Sequence, residues 1–567
     1  LPIDPYLSRI VAAVDASGAL VLIAPPGAGK TTRVPPALLD ACGPDDGKIV
    51  LLQPRRIAAR AAAERIAAER GDRLGAGVGY RVRFETRAGP ATRIEVVTEG
   101  ILVRWMQRDP FLEGVSTVIL DEFHERGIHS DLSLALVREI RESGRDDLRV
   151  VVMSATLDAK PVASYLGDCP VIETEGRPFP VEISHAPPAS REWIERTVAD
   201  AVRREWDAST GHVLVFLPGA GEIRRAATAL ESFASSEGAV ITPLHGRLSL
   251  DEQQAALRPS DRRKIILSTN VAETSLTIDG VDLVIDSGLA RLLRNDPRHG
   301  IDRLETTRIS RHSAEQRAGR AGRLGPGRAV RLWSEAEHRA LSDEEDPEIR
   351  RVDLSSTLLE LRAWGVTDAR SFPWFEPPPD LAIERAETLL GWLGAVDSAT
   401  GTLTDVGRRM MKLPTHPRLA RLMIGAADVG RGGDGARLAA LLDERDIVRF
   451  RGFDAASADD RALASSESSD LLRRLDLLRQ SEEGGSSRNF ARASGLDGGA
   501  LRAVSRLARS LERSVSSASD AKAVDRSDEE PLLRAMLLSY PDRVVRRRDD
   551  GSDRGRMVGG RGVVLSP

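Results

Sequence analysis

Ala19-Leu20-Val21-Leu22-Ile23-Ala24-Pro25-Pro26-Gly27-Ala28-Gly29-Lys30-Thr31 decides the fold of the first third of the chain. A short apolar run enters a glycine-bearing turn and then Gly-Lys-Thr, the order of a buried strand, a phosphate-binding loop and a helix start. Such a loop turns backbone N–H groups towards an anion, and the helix N-terminus behind it adds partial positive charge. Gly27 and Gly29, with Ala28 between them, let the backbone approach a triphosphate. Lys30 would reach its β- and γ-phosphates, Thr31 would offer a hydroxyl to Mg²⁺, and Thr32 closes the cradle. The strict pattern opens on glycine where this chain has Ala24.

Outward from that loop, β-rich runs alternate with helical stretches as far as Leu166, which predicts a mostly parallel sheet flanked by helices. The expected strands are Ala19 to Ile23, Lys48 to Leu52, Ile94 to Val97, Thr117 to Leu120 and Arg149 to Met153. A polar or glycine-bearing motif follows each one, where parallel sheets bind ligands. Gln53-Pro54-Arg55-Arg56 follows the second strand, and its two arginines fit backbone phosphates or a solvated helix start. Thr98-Glu99-Gly100 fits a phosphate contact or a simple helix cap.

Asp121-Glu122-Phe123-His124 follows the fourth strand. A carboxylate pair directly after a buried strand is costly unless bound to metal or paired. Opposite a phosphate loop it supplies one group for Mg²⁺, Asp121, and one that positions and deprotonates water, Glu122. Ser154-Ala155-Thr156 closes the fifth strand with small hydroxyl residues that can touch the carboxylate motif.

Arg177-Pro178-Phe179-Pro180 and Pro187-Pro188 break the pattern as a connector. A second α/β block then runs from about Gly211 to Ser334, with strands expected at Val213 to Leu217, Val240 to Pro243, Lys264 to Ser268 and Leu283 to Asp286. It has no second Gly-Lys-Thr loop. In Gln316-Arg317-Ala318-Gly319-Arg320-Ala321-Gly322-Arg323, Arg320 and Arg323 are three apart. On a helix they would share a face and reach a γ-phosphate across a lobe interface. Eleven arginines lie between Arg291 and Arg331 against four acidic residues, so local charge points to an anionic partner that whole-chain charge conceals. Ser268 to Asp279 is rich in groups able to bond phosphate, Thr269 and Asn270 among them. The stretch Ala290 to Ile309 around Asn295 to Gly300 predicts a hairpin.

The chain has 567 residues, enough for several domains, and its net charge of −4 is the difference between 81 basic and 85 acidic residues. Its two cysteines, Cys42 and Cys169, are too few for a disulfide framework or a cysteine metal site, which favours a reducing, cytoplasmic setting. No apolar run is long enough for a membrane span, so no membrane partner is expected. Leu1 stands where an initiator methionine is expected, and the pattern breaks off at Pro567, so a longer natural chain is expected.

Together these motifs resemble the DEAH-box branch of superfamily 2 helicases, and within it the bacterial HrpB-type ATP-dependent helicases. In family terms Ala24 to Thr31 is motif I, Gln53 to Arg56 Ia, Thr98 to Gly100 Ib, Asp121 to His124 II and Ser154 to Thr156 III. Leu214 to Gly219 is motif IV, Ser268 to Asp279 V and Gln316 to Arg323 VI. The resemblance implies an α/β fold with tandem RecA-like lobes at 1–178 and 179–345. It then implies a winged-helix domain at 346–413, a ratchet-like helical bundle at 414–525 and the start of an OB-like β domain at 526–567. It implies ATP and other NTPs with Mg²⁺ between the lobes and single-stranded RNA or DNA across them. His124 would couple the metal site to Gln316, Ser275 would sense nucleotide state, and Asp279 would contact ribose. Arg65 matches the arginine on which the base stacks, whereas Leu257 occupies the aromatic position opposite and Phe123 stands where the family name has alanine. Loose base selectivity is therefore expected. The implied activity is 3′ to 5′ translocation and unwinding by a monomer, with a nucleotide-switched remodelling ATPase as the alternative reading. A small-molecule kinase leaves motifs V and VI unexplained.

Beyond the lobes, Leu354 to Leu359 predicts a helix, and Leu419, Leu422, Met423 and Ala426 predict a buried helical stripe after His416-Pro417. The basic cluster Arg546-Arg547-Arg548 fits either a nucleic-acid contact or a solvated strand edge.

Overall fold

A computed structural model describes residues 1–43, 46–83, 85–155, 158–174, 179–188, 193–246, 248, 250–273, 278–296, 301–323, 325–448, 469–483, 494–516 and 528–564. Two compact units emerge. The first comprises Leu1–Asp353 with Pro373–Pro378, and the second Leu354–Phe372 with Pro379–Pro567. The first unit thus runs past the expected lobe boundary at 345 and regains a short proline-bearing segment.

The first lobe is an eight-stranded sheet: β1 (Ala19–Ile23), β2 (Lys48–Gln53), β3 (Val78–Val82), β4 (Glu85–Arg87), β5 (Ile94–Thr98), β6 (Val115–Leu120), β7 (Arg149–Ser154) and β8 (Val171–Glu173). Their spatial order is β4-β3-β5-β2-β6-β7-β1-β8, parallel throughout except for β3 with β4. Five strands fall where the apolar runs predict; β3, β4 and β8 add to them. Helices α1 (Leu7–Ser17), α2 (Lys30–Ala41), α3 (Arg56–Glu69), α4 (Glu99–Arg108), α5 (Ile128–Glu142) and α6 (Ala159–Tyr165) connect the strands. Leu20, Leu22, Ile49, Leu51, Ile119 and Val151 are fully buried in one core, so the strands read as nearly continuous apolar runs. The order β6-β7-β1 brings the carboxyl ends carrying Asp121, Ser154 and the phosphate loop side by side.

The second lobe contains a six-stranded parallel sheet built from β9 (Val181–His185), β10 (His212–Phe216), β11 (Val240–Leu244), β12 (Lys264–Ser268), β13 (Val281–Asp286) and β16 (Gly327–Arg331). Its order is β11-β12-β10-β13-β16-β9. Strand β9 corrects the connector expected between the two proline-rich stretches: Val181–His185 pairs with β16 along the sheet edge. Its prolines flank the strand rather than interrupt it, as edge strands permit. The antiparallel hairpin forms as predicted, β14 (Leu289–Asp296) with β15 (Ile301–Arg308); its tip at 297–300 lies outside the described residues. Helices α7 (Ile194–Glu205), α8 (Ala220–Ser236), α9 (Leu250–Leu257) and α10 (Arg311–Ala318) complete the lobe.

In the second unit, helices Ser355–Trp364, Asp380–Trp392 and Asp405–Met411 accompany an antiparallel bridge, Val396 with Leu403. His416 caps the helix Pro417–Asp428 by accepting from the Arg418 N–H at 3.2 Å, and Leu419, Leu422, Met423 and Ala426 are buried. Further helices span Gly432–Asp443, Asp470–Glu483, Gly498–Ser516 and Glu530–Ser539. A three-stranded antiparallel sheet, β17 (Val545–Arg547), β18 (Arg554–Met557) and β19 (Gly562–Val564), follows, with β17 wholly exposed. The loops expected near Ala455 to Asp459 and Gly484 to Ser487 lie outside the described residues. No helix among the described residues is long and apolar enough to cross a membrane.

Candidate nucleotide and nucleic-acid site

The loop after β1 takes the conformation its glycines permit: Gly27 (φ 82°) and Gly29 (φ 96°) are both left-handed. Helix α2 begins at Lys30, which is buried, while Ala28 sits in the core beneath the loop. Thr32 turns its hydroxyl back to the Gly29 carbonyl at 3.5 Å.

The two carboxylates after β6 divide their contacts. Asp121 accepts from the Thr31 hydroxyl at 2.5 Å and from Gln53 Nε2 at 2.6 Å. Glu122 instead faces Lys30 Nζ at 3.6 Å and His124 Nε2 at 3.5 Å. Burial and the neighbouring Glu122 charge raise Asp121 above the ordinary carboxylate range. Burial would raise Glu122 as well, but the positive charges of Lys30, Arg320 and Arg323 outweigh it and hold that carboxyl low. Glu122 is therefore ionised and fit to accept a proton or orient water, whereas Asp121 is a buried acid short of positive charge. Its carboxylate beside the Thr31 hydroxyl is a hard-oxygen pair suited to Mg²⁺, which takes few protein ligands and completes its shell with waters and phosphate oxygens. No cluster of three or more His, Cys, Asp or Glu able to hold a metal occurs among the described residues.

His124 joins this centre to β7. The Ala155 N–H donates to its Nδ1 at 3.4 Å, so its own proton sits on Nε2, facing Glu122. Burial lowers its pKa to about 4, which keeps the ring neutral. Ser154 Oγ lies 3.4 Å from the same Nδ1; Thr156 lies outside the described residues. Gln316 does not meet His124 directly. It contacts His312 Nε2 at 2.7 Å, and the His312 ring stacks edge-on with His124 at 6.1 Å. Sequence reasoning missed His312, whose only signal is its place one helical turn before Gln316.

Arg320 and Arg323 do not share a helix face, because α10 ends at Ala318 and Gly319 caps it. Gly322 then packs on the chain entering β9, where a Cβ would stand 2.7 Å from the Phe179 carbonyl oxygen. Both arginines, carried on the turn after the helix, lie within electrostatic reach of Glu122. Burial depresses both, Arg323 to about 10, and at Arg320 the like charge of Arg323 acts in the same direction as burial. Arg317 points elsewhere, into a buried network with Asp286 at 2.8 Å and Glu273 at 2.8 Å. Glu273, another residue missed from sequence, also accepts from the Ser313 hydroxyl at 2.7 Å and holds Arg320 through its carbonyl.

Asp279 is exposed, within electrostatic reach of Arg323; Ser275 lies outside the described residues. Arg65 is exposed and paired with Glu69 at 2.5 Å, while Leu257 packs against the second lobe's core. No aromatic platform faces Arg65 from position 257. Of the expected nucleic-acid contacts, Arg55 and Asn270 come together: Arg55 Nη1 donates to the Asn270 carbonyl at 2.6 Å and Nη2 to Glu125 at 3.1 Å. Arg56 is exposed at the start of α3. Thr98 occupies the N-cap of α4, yet its side chain makes no cap bond, and Thr269 is half-buried beyond β12. A cavity of about 620 Å³ joins Arg55 and Asn270 to His124, Glu273, His312 and Gln316.

The two lobes thus bring together the glycine-bearing loop with Lys30, Asp121 beside Thr31, and Glu122 within electrostatic reach of two arginines. Residues 5–164 match the DEAD/DEAH box helicase family, 195–325 the helicase conserved C-terminal domain, and 386–415 the winged-helix helicase associated domain HA2. The chain is 41% identical over 479 residues to the ATP-dependent RNA helicase HrpB of Escherichia coli, a match covering 84% of this chain and 59% of that protein. The chain belongs to the DEAH-box helicases. A crystal structure of E. coli HrpB, described as a DEAH/RHA helicase, superposes with a TM-score of 0.79 at 36% identity, covering 100% of this DEAH-box chain and 66% of that one. The probable ATP-dependent RNA helicase DHX34 of Mus musculus is 37% identical over 438 residues, covering 75% of this chain and 38% of the relative. This DEAH-box chain therefore spans well under two thirds of the length of these curated relatives.

Proposed function

We propose that the protein is an ATP-dependent nucleic-acid helicase that hydrolyses ATP with Mg²⁺ to move 3′ to 5′ along a single strand and part duplexes, acting as a monomer. The observation that carries this reading is Glu122 of the first lobe, which faces Lys30 at 3.6 Å and lies within electrostatic reach of Arg320 and Arg323 of the second. A triphosphate on Lys30 would draw the lobes together. Thr31 and Asp121 would hold Mg²⁺, which would polarise the phosphates. Glu122, ionised and facing Lys30, would accept the proton of the attacking water, and the arginines would stabilise charge on the departing phosphoryl group. His124, His312 and Gln316 would register the change across the lobes.

The RNA helicase names of the relatives favour RNA as the strand. Arg55, Arg56, Thr98, Thr269 and Asn270 would grip its phosphates, and the β14–β15 hairpin would serve as a wedge. With Leu257 turned into the core, the base would be weakly read and other NTPs accepted. ATPase assays with single-stranded RNA and DNA at matched salt, together with displacement of a labelled strand from 3′-tailed duplexes, test the reading. Stimulated hydrolysis without displacement on any tailed substrate would leave a remodelling ATPase in its place.

A further inference from the structure

The turn carrying Glu122 is backbone-strained. Glu122 (φ 54°, ψ 36°) and Arg126 (φ 46°, ψ 46°) are both left-handed and bracket the single 3-10 turn Phe123–Glu125. Among the described residues only four non-glycine positions have positive φ, and two of them are these. Such residues hold this conformation only where their surroundings over-determine it.

The surroundings come from Pro373–Pro378. Phe123 is fully buried, and its ring meets Phe375 edge-on at 5.7 Å. Phe375 also packs edge-on against Tyr165 at 5.3 Å, and the Tyr165 hydroxyl donates to the Pro373 carbonyl at 2.5 Å. At the other end of the turn, the Arg126 guanidinium lies 4.7 Å from the Phe375 ring centre. It donates to Asp131 at 2.8 Å and to Glu376 at 2.8 Å, 250 residues further along the chain. Glu376 is itself fixed by Arg350 at 2.5 Å. One short segment thus grips both ends of the strained turn. It also accounts for Phe123 in place of the alanine of the family name, since alanine could not reach the Phe375 ring.

We propose that Phe375 and Glu376 are positioning residues for hydrolysis. Acting through Phe123 and Arg126, they hold the Glu122 backbone where its carboxylate faces Lys30. The inference rests on reading Glu122 as the water-activating group.

The test measures kcat and KM for ATP, and the melting temperature, on the full chain carrying Phe375→Ala, Phe375→Tyr, Glu376→Gln or Phe123→Ala. Phe375→Ala is expected to lower kcat roughly tenfold with KM within about twofold, because releasing strain of this size changes geometry rather than phosphate binding. Glu376→Gln should lower kcat in the same direction, and Phe375→Tyr should restore it. Phe123→Ala combined with Phe375→Ala should fall no further than Phe375→Ala alone, since that substitution already removes the contact that Phe123→Ala removes. Should Phe375→Ala fail to fold, Phe375→Leu keeps the apolar volume without the ring and is held to the same criteria. Wild-type kcat in folded Phe375→Ala, additive losses in the double variant, or a loss matching only the unfolded fraction would overturn the proposal. If the wild-type protein turns over ATP and Glu122→Gln does not, such a result sinks the positioning role alone; if Glu122→Gln turns over normally, the reading of Glu122 fails first.

Discussion

The backbone carbonyl of Glu273 holds the guanidinium of Arg320, while the Glu273 carboxylate staples Ser313 and Arg317 of the adjoining helix. The arginine within electrostatic reach of Glu122 is thus suspended from the segment that begins at Asn270, one short turn upstream. A strand pressing on Asn270 would shift the carbonyl and with it the arginine.

Arg320→Lys is therefore expected to be nearly as damaging as Arg320→Ala. Lysine keeps the charge but lacks the planar fork that can bond a carbonyl and a phosphate together. Loss of an arginine finger lowers kcat by about 10³-fold or more, with ATP affinity changing far less. Single-turnover hydrolysis beside equilibrium nucleotide binding separates the two; a lysine variant turning over like the wild type would show that charge alone suffices.

Arg55 is shared between Asn270 and Glu125, so in the proposed strand grip a phosphate would have to compete with a carboxylate for it. Arg55→Ala should weaken single-strand binding about equally on all sequences and reduce the slope of log affinity against log salt by roughly one. Glu125→Gln removes the competitor and should tighten binding. Anisotropy titrations at several salt concentrations read both, and unchanged affinity in Glu125→Gln would mean that Glu125 does not hold Arg55 back.

The parts of the site legible in the sequence are those whose chemistry is local. Gly27 to Thr31 and Asp121-Glu122 carry their meaning in adjacent residues, and the apolar strands before them fix where they sit in the sheet. The two arginines were legible as a pair but not in their placement, because the glycines at 319 and 322 end the helix that three-residue spacing suggests. His312 and Glu273 act through partners on other elements, and a lone histidine or glutamate in a polar stretch has no local signature. The edge strand Val181–His185 is masked by its flanking prolines. Pro373–Pro378 has no periodicity at all, and its role exists only through Phe123 and Arg126, some 250 residues away.

Glu122→Gln should bind ATP with Mg²⁺ as the wild type does and lose most turnover, roughly 10²- to 10⁴-fold, the range for removing a general base. The amide keeps the side chain's shape beside Lys30 but cannot take a proton. Phosphate release measured alongside binding of a fluorescent nucleotide decides the matter, and wild-type-like hydrolysis would move the base elsewhere.

Glu99, at the first position of α4, gives the fold a pH dependence of its own. Burial pushes its carboxyl from 4.5 up to about 8, with the Ser130 hydroxyl at 2.5 Å pulling it back and the nearby charges of Glu348, Glu125 and Asp131 adding to the rise. Between those two values the folded protein keeps a proton that the unfolded chain has lost. The unfolded state binds fewer protons there, so stability falls as pH rises through the window and levels off above about 8. Glu99→Gln imitates the protonated acid at every pH and removes this contribution. Measured by thermal melting from pH 5 to 8, the variant should gain on the wild type steadily as pH increases. The other titrating groups are common to both proteins, so the difference reports Glu99 together with its coupling to Glu348, Glu125 and Asp131, and a difference constant with pH would mean that Glu99 is ionised in the folded protein throughout.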